Sequence, residues 1–380
     1  MGITGYSQLV SAEQALQNED YSTFVEWCEN KERISPEARY TVEVLLGKVE
    51  TQDCAIAEEV LAKLTRLWLR DVPVSQNDDL FPPEFHEAIE AFSRQKREQI
   101  IDIRPLVGFT NLTQLNLDGY KIADISPLAQ LTNLTELDLD GSEIGDISPL
   151  SQLTNLTSLS LWENKITDIS PLSQLTELSY LYLDNNQIVD INPLSQLTYL
   201  FHLGLSNNQI RDISLLSTLT NLSSIRLRNN QIVDINPLSQ LTYLTHLGLS
   251  NNQITDISPL SQLTNLDFLD ITENQIADIR PLSQLMNLSF LALWENQIED
   301  ISPLSTLTNL TELALSRNQI VDISPLSTLT NLTQLSLDDN QIVDISPLST
   351  LTNLTELWLQ ENPLANPTCP VQPASICQFE

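Results

Sequence analysis

The sequence predicts an α/β solenoid, a curved right-handed array with short parallel strands on its concave side and 3₁₀ or irregular turns on its convex side. Three observations predict this fold. Residues 109–350 form eleven repeats of 22 residues without insertion or deletion, leucines return at the same places in every repeat, and at one point of each repeat they alternate with outward-facing residues. A repeat of this size cannot bury its own leucines, so only the stacking of successive repeats closes a core.

The repeat Leu153–Gln174 shows how one coil is built. Leu159 and Leu161 alternate with polar or aromatic neighbours, and this period of two predicts a short strand whose leucines face inward. Asn164 follows the strand, and equivalent asparagines recur as far as Asn362. A buried turn must satisfy its backbone donors and acceptors, so we predict that this residue is a structural amide bonded to the backbone of adjacent coils.

The second half of the repeat turns the chain back along the convex side. In the stretch Asp168–Leu172 we expect Ser170 to be the N-cap and Pro171 the first residue of a short 3₁₀ helix. The aspartate before isoleucine recurs from Asp102 to Asp344. We interpret this ladder as turn-forming acceptors and not as a metal site, because calcium-binding repeats pair Asp with Gly at their turns.

These coils resemble a known class of repeat. Repeats of 22 residues that end in D-I-S-P-L, as at Asp146–Leu150 and Asp322–Leu326, are similar to those of the bacterial internalins and of the leucine-rich regulatory subunit of protein phosphatase one. The resemblance covers about two thirds of the chain and implies a leucine-rich-repeat solenoid that binds a protein. The matching residues belong to the scaffold, so they do not identify the partner.

The remaining sequence predicts two caps and an interrupted first repeat. We assign residues 1–60 to a helical N-terminal cap, 61–108 to a split first repeat with a helical insertion at about 72–97, and 351–380 to a last partial repeat with a C-terminal cap. Apolar residues at helical spacing predict four cap helices. They are Ser7–Asn18, Tyr21–Lys31, Pro36–Val49 and Cys54–Leu64, the last with an apolar face of Ile56, Val60, Leu61 and Leu64.

The insertion has two interpretations. Its apolar residues predict an amphipathic helix that either docks on the side of the solenoid and extends the cap, or lies over the concave face as a flap. In the second case it would bring Arg94, Lys96 and Arg97, a rare basic cluster in an acidic protein.

The composition limits the classes of partner and chemistry. The formal net charge is −32 and the pI is about 4.1, which argues against nucleic acid and anionic membranes, since both require clustered Lys and Arg. No apolar stretch is long enough to insert into a bilayer. The sequence has three histidines and no phosphate-binding glycine loop, nucleophile elbow or metal-spaced cluster. We therefore expect a monomer without enzymatic activity, cofactor or metal.

The strand positions beside the buried leucines are the predicted binding site. They would ordinarily be small or charged, yet several coils place aromatic residues, histidine or arginine there. The candidate partner-binding residues are Trp162, Tyr180, Tyr182, His202, Arg226, Arg228, His246, Phe268, Phe290 and Trp294. Residues of these types are enriched in protein-binding hot spots, although the same aromatics would also stabilise a sheet by stacking across strands. Gly204 and Gly248 are expected to leave room for an inserted side chain or loop.

Two consecutive coils occur twice in nearly identical form. Residues 185–210 and 229–254 differ only in Phe201 against Thr245. The histidine and glycine of one copy therefore return in the other. A histidine on an outward strand position is either a pH-sensitive contact or a residue without a special role, and no partner ligands stand at metal-binding spacing.

Two further functions compete with protein binding. Trp and Tyr platforms also stack on sugar rings, which makes a carbohydrate-binding surface protein one alternative. The other is a structural spacer without a specific ligand, for which substitutions on the concave face would have no effect.

The four cysteines are confined to the predicted caps. We predict one disulfide between Cys369 and Cys377, in a short proline-bearing loop, and a second between Cys28 and Cys54. An even number of cysteines favours an oxidising compartment, and hence export to the cell surface or periplasm. No signal peptide is recognised, so a cytoplasmic protein with reduced cysteines is the alternative if Met1 is the true start.

Overall fold

A computed structural model of the protein describes residues 21–69 and 101–379, which fall into two compact units, 1–178 and 179–380. The predicted helix Ser7–Asn18 and the insertion at 72–97, with its basic cluster, lie outside the described residues.

Among the described residues, the first unit begins with three helices: α1 Phe24–Glu29, α2 Pro36–Lys48 and α3 Cys54–Leu61. Each starts where a side-chain oxygen of Thr23, Ser35 or Asp53 accepts a hydrogen bond from a backbone N–H of the first turn, because these N–H groups have no partner within the helix. A disulfide between Cys28 and Cys54 joins α1 to α3.

The predicted apolar face of the last helix was wrong in part. Ile56 and Val60 are 53% and 40% exposed, whereas Ala57 and Leu61 are buried. The helix therefore packs through the side that carries Ala57 and Leu61. The helix also ends three residues earlier than predicted, at Leu61.

The strands of the first unit are β1 Arg66–Trp68, β2 Gln114–Asn116, β3 Glu136–Asp138 and β4 Ser158–Ser160. They pair in parallel and in chain order, so that the buried leucine of each strand faces its equivalent in the next. Short 3₁₀ helices at Arg104–Leu106, Ser126–Gln130, Ser148–Gln152 and Ser170–Gln174 form the other side of these coils.

The second unit repeats the same arrangement. Its strands are β5 Tyr180–Tyr182, β6 His202–Gly204, β7 Ser224–Arg226, β8 His246–Gly248, β9 Phe268–Asp270, β10 Phe290–Ala292, β11 Glu312–Ala314, β12 Gln334–Ser336, β13 Glu356–Trp358 and β14 Cys377–Gln378. They also pair in parallel and in chain order. A 3₁₀ helix of five residues lies between each pair of successive strands from β5 to β13, the first at Asn192–Gln196 and the last at Ser346–Thr350.

The core of each coil combines leucines with one buried amide. Leu247 and Leu249 are fully buried. The Nδ2 group of Asn252 donates to the carbonyl oxygens of Leu227 and Leu249 at 3.0 Å, and its Oδ1 accepts from the N–H of Ile232 at 3.0 Å. The amide thus bonds to the preceding coil and to its own, as the sequence predicts.

The turn after each strand differs from its prediction in one detail. The 3₁₀ helix begins at Ser170 itself, and the capping position is Ile169, which makes no side-chain bond. Asp168 takes over the capping role, because its Oδ1 accepts the Ser170 N–H at 2.8 Å. This bond lowers the pKa of the Asp168 carboxyl, and the equivalent bonds at Asp146, Asp212, Asp322 and Asp344 do the same.

The second unit ends in a short cap. Strand β14 pairs with β13, and a disulfide joins Cys369 to Cys377 beside this pairing. The predicted fold class, a parallel-strand solenoid with 3₁₀ turns and terminal caps, is therefore confirmed.

Candidate partner-binding strand face

Three rows of side chains point away from the leucine core of the second unit. The register places equivalent residues of successive strands side by side. The first row contains the first residue of each strand, from Tyr180 onwards. The second row contains the third residue, from Tyr182 onwards, and the third row lies two residues further on, from Asp184 onwards. We call these rows together the strand face.

The first row holds two groups of stacked rings, separated by Ser224 of strand β7. The rings of Tyr180 and His202 lie 5.1 Å apart and nearly parallel, at 14°. The imidazole of His246 stacks on Phe268 at 5.9 Å, and Phe268 stacks on Phe290 at 4.3 Å and 7°. Because parallel strands lie about 4.8 Å apart, flat rings at the same register position meet face to face. The row therefore exposes mainly ring edges.

The side chains of an ion pair pass over Gly204 of strand β6. Arg226 Nη2 lies 3.4 Å from Asp184 Oδ2, and the guanidinium lies 5.4 Å from the ring centre of Tyr182. Asp184 and Arg226 are two coils apart, and Gly204 lies between them in the second row. A Cβ atom on Gly204 would lie 2.9 Å from Asp184 Cγ and 3.2 Å from Arg226 Nη2.

The side chains of a second ion pair pass over Gly248 of strand β8. Arg228 Nη2 lies 3.1 Å from Asp270 Oδ2, and its guanidinium is 6.0 Å from the ring centre of Phe268. A Cβ atom on Gly248 would lie 2.9 Å from Arg228 Nε. The prediction that the two glycines leave room for an inserted group was wrong. The space is filled by charged side chains of the protein itself.

The ten candidate residues are divided between the two units and among the three rows. Trp162 belongs to the first unit, and the other nine belong to the second. Of those nine, the first row holds five, the second row holds Tyr182 and Arg226, and the third row holds Arg228 and Trp294. All nine are at least partly exposed.

Three residues that contribute to this surface were not predicted from the sequence: Phe201, which lies beside the first row, and Asp184 and Asp270, which lie within the rows. Phe201 is 43% exposed, and its ring lies edge-on to His202 at 4.8 Å and to Tyr180 at 6.4 Å. Asp184 and Asp270 hold the two arginines. A sequence feature could have identified Phe201, because it is the single difference between the duplicated coils. No sequence feature identifies the two aspartates, since their arginine partners lie two coils away.

The outward rows of the first unit are mainly polar and acidic, with Trp68 and Trp162 as exceptions. Gln114 donates to Glu136 at 2.7 Å, and Asn116 donates to Asp138 at 2.7 Å. Asp140 Oδ1 accepts from Ser160 Oγ at 2.6 Å and from the Trp162 N–H at 2.7 Å. Burial raises the pKa of the Asp140 carboxyl well above its ordinary value, and the charge of Asp138 raises it further.

The part of the chain that the structure describes offers no other obvious site. Within it, no three His, Cys, Asp or Glu side chains are grouped to hold a metal ion. No helix there is long and apolar enough to span a bilayer. A rigid stack of coils that presents variable side chains on its strands is the architecture of a binding scaffold.

Comparison with known proteins agrees with this class. The family model described as leucine-rich repeats in two copies matches residues 110–152, 154–196, 200–240, 244–284, 287–328 and 330–368. A crystal structure of an internalin, InlF, from Listeria monocytogenes is 36% identical with a TM-score of 0.74, over 85% of this chain and 89% of that one. No curated protein matches the chain.

Two further solved structures are similar. A leucine-rich-repeat protein of Leptospira interrogans is 26% identical with a TM-score of 0.64, over 71% of this chain and 77% of that one. The functional domain of InlJ from Listeria monocytogenes is 23% identical with a TM-score of 0.69, over 91% and 72%, and shows the fold alone. The chain belongs to the leucine-rich-repeat family and, within it, to the internalin type. The family fold is a scaffold for protein–protein interaction.

Proposed function

We propose that the protein is a non-enzymatic binding module whose strand face in the second unit holds a protein partner. The observation that carries this proposal is the first row, where aromatic and imidazole rings replace the small polar residues usual at exposed strand positions. Stacked rings are already ordered, so a partner that contacts them loses little additional side-chain entropy on binding. Rigid aromatic anchors of this kind dominate protein-binding hot spots.

The same geometry favours a protein over a sugar. A sugar ring stacks on the face of an aromatic side chain, and in the first row a stacked neighbour covers both faces of Phe268 and one face of each other ring, at interplanar angles of 7° to 17°. Ring edges and the flanking backbone instead suit the side chains of a polypeptide. Arg226 and Arg228 contribute little to the attraction of a charged partner, because each is already paired with an aspartate.

The test is an affinity capture with a matched control. The face variant is Tyr180→Ala/Phe268→Ala/Phe290→Ala. The control is Tyr243→Asn, which removes a ring that is 66% exposed but lies before strand β8 and outside the three rows. We expect the wild type and the control to retain the same protein, identified by mass spectrometry, and the face variant to lose it. Thermal melts should show that all three are folded at the assay temperature, although the loss of stacked rings lowers the melting temperature of the face variant.

Retention of that protein by the face variant would move the binding site to another part of the molecule. A glycan-array signal that disappears in the face variant would favour the carbohydrate alternative. Trp162, which lies in the first unit, is tested separately as Trp162→Ala.

We further propose that the protein works in an oxidising, exported location, since both cap disulfides close and such bonds persist outside the reducing cytosol. Thiol labelling of the protein in its native extract tests this. No labelling without reductant supports the proposal, and labelling of four thiols without reductant contradicts it.

A further inference from the structure

The charges of the second unit limit what its strand face can attract. Residues 179–380 contain five arginines and no lysine, against twenty Asp and Glu. Four of the arginines pair with carboxylates: Arg226 with Asp184, Arg228 with Asp270, Arg280 with Asp278, and Arg317 with Glu295. The fifth, Arg211, donates to Gln231 at 2.7 Å.

The two arginines of the strand face therefore carry little net attraction for an acidic partner. In each ion pair, the charged side chains lie in the space left by a glycine that has no Cβ atom. An aromatic ring also lies under the guanidinium. The aspartates of these pairs are largely buried. An incoming carboxylate would have to displace a partly desolvated partner, which is costly.

The far end of the first row carries carboxylates instead of rings. Beyond Phe290 the row continues with Glu312, Gln334 and Glu356. No described arginine or lysine pairs with either glutamate, since the basic residues of this unit have the partners named above. Partial burial raises the pKa of the Glu312 carboxyl, and the charge of Glu356 raises it further. A cation placed here would relieve that repulsion.

We propose that the partner presents an extended segment in which an apolar or aromatic stretch is followed by lysine or arginine residues. The stretch lies along the rings from Tyr180 to Phe290, and the basic residues contact Glu312 and Glu356. This inference rests on the proposed function, because it assigns the partner of the same face. Six strands at about 4.8 Å span roughly 24 Å, or about eight residues of extended chain. The two glutamates lie roughly 10 Å apart across Gln334, which suits two basic side chains.

The test selects segments directly. A display library of random 14-residue segments is panned against the full chain, and the selected segments are measured as synthetic peptides against three variants. The acid variant is Glu312→Gln/Glu356→Gln, and the ring variant is Phe268→Ala/Phe290→Ala. The charge control is Glu299→Gln/Glu361→Gln, which removes the same charge from exposed positions outside the rows.

We expect enrichment of segments with apolar residues at one end and basic residues at the other. The acid variant should bind them about tenfold more weakly at low salt, the charge control within twofold of the wild type, and the loss should shrink at about 0.5 M salt because exposed charges are then screened. The ring variant should bind at least tenfold more weakly at any salt concentration.

Several results would overturn the inference while leaving the proposed function intact. Enrichment of acidic segments would show that the arginine pairs open on binding, and enrichment of purely apolar segments that need the rings would show that the glutamates play no part. Unchanged binding to both the acid and the ring variants would overturn the inference and the proposed function together. The absence of any enriched segment would overturn the inference alone, because the affinity capture tests binding of an intact protein separately.

Discussion

The outward rows of the two units stand on the same scaffold but carry different chemistry. In both units a coil is closed by buried leucines, an asparagine amide and an aspartate at the 3₁₀ turn. In the first unit most outward residues are polar, and several amides, hydroxyls and carboxylates bond to one another. In the second they are stacked rings and ion pairs across glycines. The repeat fixes the frame, and the positions between the leucines are free to differ.

The largest predicted effect concerns the shared scaffold. Asn164→Ala in the first unit and Asn252→Ala in the second each remove a buried amide that satisfies two or more carbonyl oxygens and one backbone N–H. Leaving these groups unpaired should lower the free energy of unfolding by about 3 kcal/mol in each case. Urea denaturation of the two variants measures it. If only one of the two variants showed a large loss of unfolding free energy, the two units would not share a common scaffold.

The second prediction concerns a feature of the second unit alone. Gly204→Ala forces a methyl group against Asp184 and Arg226, and such overpacking typically costs 1 to 3 kcal/mol, so we expect a loss of about 2 kcal/mol. Ala292 and Ala314 occupy the same row where no ion pair crosses. Ser336→Ala in that row is the control, with an expected change below about 0.5 kcal/mol. Thermal melts measure both variants. If Gly204→Ala and Ser336→Ala lowered the stability by equally small amounts, the ion pair would not require a glycine at position 204.

The third prediction compares one position in both units. Asp140 and Asp184 each accept the N–H of a residue in the next coil, Trp162 at 2.7 Å and Ser206 at 2.9 Å. Asp140 faces other carboxylates, whereas Asp184 faces Arg226. An asparagine keeps the accepted hydrogen bonds and removes the charge. We expect Asp140→Asn to stabilise at pH 7 by about 1 kcal/mol and Asp184→Asn to destabilise by about 1 kcal/mol.

The pH dependence of the first variant follows from the raised pKa of Asp140. Between its ordinary pKa and its raised folded pKa, the folded protein holds a proton that the unfolded chain has lost, so stability falls as pH rises through this range. The advantage of Asp140→Asn should therefore vanish below about pH 4, where the carboxyl is protonated in both states. Chemical denaturation at several pH values measures this, and a constant advantage would contradict the assignment.

The sequence predicted most of the fold and less of the candidate site, for a physical reason. Periodicity reports which side chains are buried, and in a solenoid burial determines the coil, so the leucines and Asn164 were assigned correctly. The contacts of outward residues depend on neighbours 22 or 44 residues away and on side-chain reach. Arg226 crosses Gly204 to reach Asp184, and no local pattern indicates that a glycine marks an occupied space rather than an empty one.

The smallest predicted effect concerns positions where the scaffold itself departs from its template. In most coils an exposed asparagine donates to a carbonyl oxygen of the preceding coil, as Asn265 does to Thr242 at 2.8 Å. Tyr243 replaces this asparagine and is 66% exposed, so it neither donates that bond nor packs in the core. Tyr243→Asn should restore the bond to Thr220 and stabilise the protein by about 0.5 kcal/mol, a change visible in urea midpoints. If the variant is instead less stable, the ring must pack on its neighbours. If it loses the captured partner, the binding surface extends beyond the strand face to the approach of strand β8.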